Sequence, residues 1–74
     1  MIVLQRPADG SFYAKPGCIT WFSRNPSDAK VYESKDSWRY LRDLKIIDRS
    51  KMYRGTVKTV KAPDEVLKLK PIIY

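Results

Sequence analysis

Residues 18–44, CITWFSRNPSDAKVYESKDSWRYLRDL, constrain this chain more than any other stretch. They read as a strand, an Asn-Pro turn, a second strand and a serine-capped helix, and they hold both tryptophans. The Ser34 hydroxyl is placed to accept a bond from a free backbone N–H of a first helical turn, and Asp36 in that turn suits the helix dipole. Residues 35–46 therefore project as a helix of about three turns. At about 100° per residue, Tyr40, Leu41, Leu44 and Ile47 share one arc, with Trp38 at its edge. Lys35, Arg39 and Arg42 fall almost opposite, with Lys45 nearby.

The two segments before the helix are less regular. Residues 18–23 alternate as a strand, with Ile19, Trp21 and Ser23 on one face and Thr20 and Phe22 on the other. An aromatic on each face calls for either a second covering layer or an exposed contact. Residues 29–33 form a short strand with Val31 inward and Lys30 and Tyr32 opposite.

On the N-terminal side, residues 2–6 favour a strand and residues 11–15 its partner, joined through the Asp9-Gly10 turn. Pro16-Gly17 marks a second turn. On the C-terminal side, residues 51–61 are rich in β-formers, with Gly55 as a bulge or bend. Residues 62–65 are a turn or a helix start. Residues 66–74 alternate apolar with lysine until Pro71, which suits an edge strand or a docked tail. The apolar ending Ile72-Ile73-Tyr74 fits docking on the chain's own core or a contact with a partner.

A chain of 74 residues allows one domain with a thin stability margin. The expectation is an α+β fold: a small antiparallel sheet of four or five strands with one amphipathic helix packed on one face. Trp38, Leu41, Leu44, Trp21, Val31, Ile19 and Val57 are expected to form most of the core.

Catalysis finds little support. With no histidine and one cysteine, Ser/His and Cys/His nucleophile pairs and cysteine-based zinc sites are excluded. Cys18 reads as a small buried apolar residue. The carboxylates are spread singly apart from Asp64-Glu65, and Gly10, Gly17 and Gly55 are isolated turn glycines rather than a phosphate loop. No enzyme activity, metal or cofactor is expected.

Charge is more informative. Fifteen Lys and Arg against eight Asp and Glu give +7, which favours acidic partners, although solubility alone accounts for such a charge too. The candidate partner-binding residues are the basic helix face, Lys35, Arg39, Arg42 and Lys45, and a second set, Arg49, Lys51, Tyr53, Arg54 and Lys58. Arginine grips carboxylate or phosphate as a two-pronged fork, and Tyr53 is placed to stack on a base or pack on a partner. A solvated helix face and a lysine-protected edge strand explain the same residues more plainly. No apolar run is long enough for a signal peptide or membrane span, so a cytoplasmic location without membrane contact is the default.

Trp21, Phe22, Ser23, Asn25, Pro26, Asp28, Ala29, Lys30, Val31, Tyr32 and Ser34, preceded by an Asp-Gly hairpin and followed by a helix, form a pattern that resembles small uncharacterised accessory proteins of tailed phages. The resemblance covers roughly the first two thirds of the chain. It implies a phage accessory gene product acting in the host cytoplasm. The function expected on this basis is a non-enzymatic host-takeover or anti-defence protein, monomer or homodimer. It would bind and inhibit or redirect a host protein or nucleoprotein of acidic surface. The alternative is a small module that binds DNA or RNA directly.

Overall fold

A computed structural model describes all 74 residues. Strands β1 (Ile2–Gln5), β2 (Phe12–Tyr13) and β3 (Phe22–Ser23) are followed by a 3-10 turn at Pro26–Asp28, helix α1 (Trp38–Arg49), strand β4 (Lys58–Lys61) and the short helix α2 (Asp64–Leu67). The strands form one antiparallel sheet in the order β3-β2-β1-β4.

The first hairpin follows from its turn chemistry. Gly10 has φ +73°, a left-handed conformation that a β-carbon disfavours. The Asp9 carboxylate accepts from Ser11 N at 3.0 Å and Ser11 Oγ at 2.6 Å. Arg6 N donates to Ser11 O at 2.8 Å, closing the loop.

β1 and β2 then splay apart, and residues 29–33 fill the gap between them. Lys30 N donates to Tyr13 O at 3.0 Å, and Tyr32 N and Ile2 O pair at 2.9 Å. The other edge of this segment takes the C-terminal tail: Tyr74 N donates to Val31 O at 2.8 Å and Glu33 N to Tyr74 O at 2.9 Å. The chain end thus docks on its own fold and covers an edge that would otherwise offer free backbone groups.

Side-chain alternation gives the sheet two covered faces. On one, Val3, Phe12, Ala29 and Val31 pack with Ala62 and with Val66 of α2. On the other, Leu4 and Tyr32 pack with Tyr40 and Ile47 of α1, supported by Tyr13, Phe22 and Leu44. The α1 layer is further pinned by a 2.7 Å hydrogen bond between the Tyr40 and Thr59 hydroxyls.

The fold class is the expected one, but several local expectations are corrected. α1 starts at Trp38, one turn later than Ser34 suggested. Ser34 Oγ instead accepts from Asp36 N at 3.2 Å, organising the turn that leads into the helix. Tyr40, Asp43 and Ile47 face inward, with Leu44 half-buried, while Leu41 is 48% exposed and Trp38 60% exposed. Ile19 and Trp21 are exposed too, because only Phe22–Ser23 of the expected 18–23 strand pairs with the sheet. Thr20 Oγ1 donates to Phe22 O at 2.8 Å, a local bond that competes with extended pairing. Of the expected core, Val31 is buried and Leu44 and Val57 pack at its margin. Cys18 is half-buried rather than buried. Residues 51–56 form turns in place of a strand, with Gly55 at φ +76° in the second of them. Of the alternatives for the C-terminal residues, the helix start and the docked tail hold: α2 (Asp64–Leu67) leads into a tail that docks beside residues 31–33, and no edge strand forms.

Candidate functional site

The helix faces two environments. Its inner side is anchored by a charged group taken out of water: Asp43 accepts from Lys30 Nζ at 2.7 Å and from the Tyr32 hydroxyl at 2.5 Å. Both side chains of the ion pair are almost fully buried. An isolated buried charge costs several kcal/mol, so this pair holds only because each partner is present. The Lys30 ammonium also lies 4.8 Å from the centre of the Tyr74 ring, which ties the docked tail to the same group. Burial, and then the bond to Asp43, push the Tyr32 hydroxyl far above the usual tyrosine range, so it stays a donor. Burial raises Tyr13 as well, with the Asp43 charge adding to it.

With Asp43 fixed inward, the opposite side of α1 is set. Trp38, Arg42, Lys45 and Arg49, at spacings of four, three and four, lie within about 60° of one another on the helix, and all are exposed. Leu41 and Ile46 flank this stripe and are exposed as well. The Arg39 guanidinium lies 4.7 Å and that of Arg42 5.1 Å from the centre of the Trp38 ring. Arg42 Nε also donates to Asp43 Oδ1 at 3.3 Å, so one arginine links the outer face to the buried anchor. Arg49 in the last turn complements the helix dipole.

The structure therefore brings Arg39, Arg42, Lys45 and Arg49 onto one continuous surface and places Trp38 at its head. Lys35 lies in the turn before α1 and is not part of the helix face as expected. Lys51 and Arg54 are exposed in the turns after α1, and Lys58 is exposed on the edge strand β4. Tyr53 is not on the outward helix face: it packs against the Leu4, Tyr32, Tyr40 and Ile47 core, stacks on Trp21 at 5.4 Å and 27° and meets Phe22 at 4.7 Å. The sequence reading placed Trp38 and Leu41 in the core and so missed them as surface groups; Trp21 was placed there too, with an exposed aromatic contact on residues 18–23 as the alternative, and that alternative holds. Their apolar character was visible, but the phase of the helix depends on Asp43 facing inward, which apolar periodicity does not register.

No three of the chain's Asp, Glu and Cys side chains converge as a metal-ligand set. No helix is long and apolar enough to cross a membrane. The Cys18 thiol is pushed up by burial and then by the nearby Asp28 carboxylate, which keeps it protonated. The outward side of α1 thus presents exposed cations beside exposed apolar side chains. Comparison with protein-family models, curated proteins and solved structures gave no match.

Proposed function

We propose that this chain is a non-enzymatic binding module that seats the outward face of α1 on an acidic surface of a partner protein or nucleoprotein, and inhibits or redirects it by occupying that surface. The observation that carries this reading is Trp38, 60% exposed at the head of a basic stripe with two arginines against its ring. Exposed Trp38, Leu41 and Ile46 beside these cations give the face apolar area to bury against a partner. Tryptophan and arginine are the residues most enriched where interface energy concentrates. The cations Arg42, Lys45 and Arg49 disfavour a second copy of this face and favour carboxylates or phosphates. The resemblance of residues 21–34 to small tailed-phage accessory proteins supports a host macromolecule as the partner, met in the host cytoplasm.

The test is capture from a host lysate by the tagged chain, with and without nuclease, against a Trp38→Ala/Lys45→Glu variant. The reading expects a defined acidic partner that survives nuclease and is lost with the variant. Equal recovery by both proteins contradicts it.

A further inference from the structure

A second exposed aromatic group gathers around Tyr53, beyond the C-terminal end of α1. Tyr53, whose N–H donates to Ser50 Oγ at 3.3 Å just past the helix, stacks against Trp21 at 5.4 Å and 27°. Phe22 leans on Tyr53 at 4.7 Å and meets Tyr13 edge-on at 5.6 Å. Arg6 lies over this group, its guanidinium carbon 5.4 Å from the ring centres of both Phe22 and Tyr53. Its Nε is buried and finds no partner within the chain.

Three features separate this surface from the α1 face. Trp21 is backed by Tyr53 yet keeps 44% of its surface exposed, so a flat indole is held rigidly at the boundary with solvent. The Trp38 ring, by contrast, already carries Arg39 and Arg42. Arg24 and Arg54 flank the stack in sequence, adjoining β3 and Tyr53, and both are exposed. Asp9 accepts the two Ser11 hydrogen bonds, which lower its pKa first, and it also pairs with Arg6, whose Nη1 lies 3.9 Å from Asp9 Oδ2; Arg6 thus reaches a phosphate alongside or in exchange for this partly exposed pair.

We infer that the Trp21–Tyr53 stack, with Arg6 over Phe22 and Tyr53 and with Arg24 and Arg54 adjoining it in sequence, is a docking platform for single-stranded nucleic acid, one base stacking on Trp21 while exposed arginines meet phosphates. A planar ring held beside cations is the combination that binds single strands without reading their sequence. A duplex keeps its bases stacked inside and cannot offer one to Trp21. The inference stands apart from the α1 reading, since it uses a different surface and a different partner.

The experiment uses a fluorescent oligo(dT) of about 12 nucleotides, within the span of one such platform. Anisotropy gives the affinity. In a Trp38→Phe background, emission reports Trp21 alone. The expected results are quenching of Trp21 on binding, an affinity lowered about 5- to 100-fold by Trp21→Ala, most of it retained by Trp21→Phe, and weak competition from a duplex of equal length. Circular dichroism confirms that each variant is folded. Affinity unchanged in folded Trp21→Ala, absence of quenching, or equal competition by the duplex overturns the inference and leaves only general attraction to charge.

Discussion

Lys30 and Asp43 form a 2.7 Å ion pair between the segment that fills the splayed hairpin and the inner side of α1, with both side chains almost fully out of water. Together with buried Tyr40 and Ile47, this contact holds the inner side of the helix against the sheet and leaves the opposite residues outward.

Removing one partner should therefore cost more than removing both. Lys30→Met leaves the Asp43 charge inside with only the Tyr32 hydroxyl and the half-exposed Arg42 as partners, and is expected to destabilise by about 3 kcal/mol. Lys30→Met/Asp43→Leu should recover part of that loss, because no charge is left uncompensated, while the buried Tyr32 hydroxyl loses its acceptor at a cost of about 1–3 kcal/mol. Urea unfolding of the single and double variants measures both. A single-variant cost below about 1 kcal/mol would show the pair to be dispensable.

The phase of α1 gives a second prediction. Ile47 is buried, so Ile47→Ala should cost about 2–5 kcal/mol. Leu41 stands half in solvent, so Leu41→Ala should cost clearly less, about 1 kcal/mol or under. Thermal or urea unfolding distinguishes the two, and the reverse ranking would mean that the helix is rotated from the position described.

This contrast marks where the sequence stops being legible. The first hairpin is written in Asp9-Gly10 and the strands either side, and α1 is visible in the spacing of Tyr40, Leu44 and Ile47. The orientation of the helix is not, because an apolar pattern scores Leu41 as core and Asp43 as surface. Only the position of Lys30, thirteen residues away in sequence (43 minus 30), reverses that judgement. Residues 18–21 mislead for a related reason: their β-forming side chains favour a strand, but the residues that would pair with 18–20 are spent on the Pro16-Gly17 turn, and ladder bonding resumes only where Ala14 N donates to Trp21 O at 2.8 Å. The basic character of the candidate site was readable from Arg39, Arg42, Lys45 and Arg49. Its tryptophan was not, since exposure of Trp38 follows from the helix phase.

Alkaline pH should weaken the fold, and the sign follows from Tyr32. Its hydroxyl has an ordinary value of 10.0 and is raised well above it in the folded protein by burial first and the Asp43 bond second. A raised group contributes its stabilisation below the unfolded value and loses it as pH climbs through the folded one. Above about pH 10 the unfolded chain sheds this proton while the native chain keeps it, so stability should fall by about 1.4 kcal/mol per pH unit from this group. Tyr13 acts in the same direction. Tyr32→Phe should show a shallower decline over the same window, measured by urea unfolding between pH 9 and 11. An identical slope in the variant would count against the assignment.

The docked tail predicts an asymmetry between neighbours. Tyr74 shares two backbone hydrogen bonds with residues 31–33 and lays its ring by the Lys30 ammonium, whereas the Ile72 side chain is exposed. Tyr74→Ala should lower stability by about 1–3 kcal/mol, and Ile72→Ala by no more than about 0.5 kcal/mol. Equal effects would mean that the ring adds nothing to the anchor.

The central claim, that the outward face of α1 is what the partner meets, is tested most directly by site-specific photocrosslinking in host lysate. A photoreactive side chain placed at Leu41, on the α1 surface, is compared with the same group at Leu69, in the tail beyond α2. The account predicts a discrete, nuclease-resistant adduct with an acidic protein from Leu41, abolished by Lys45→Glu/Arg49→Glu, and none from Leu69. An adduct from Leu69 alone, or one from Leu41 that persists after both charges are reversed, would contradict it.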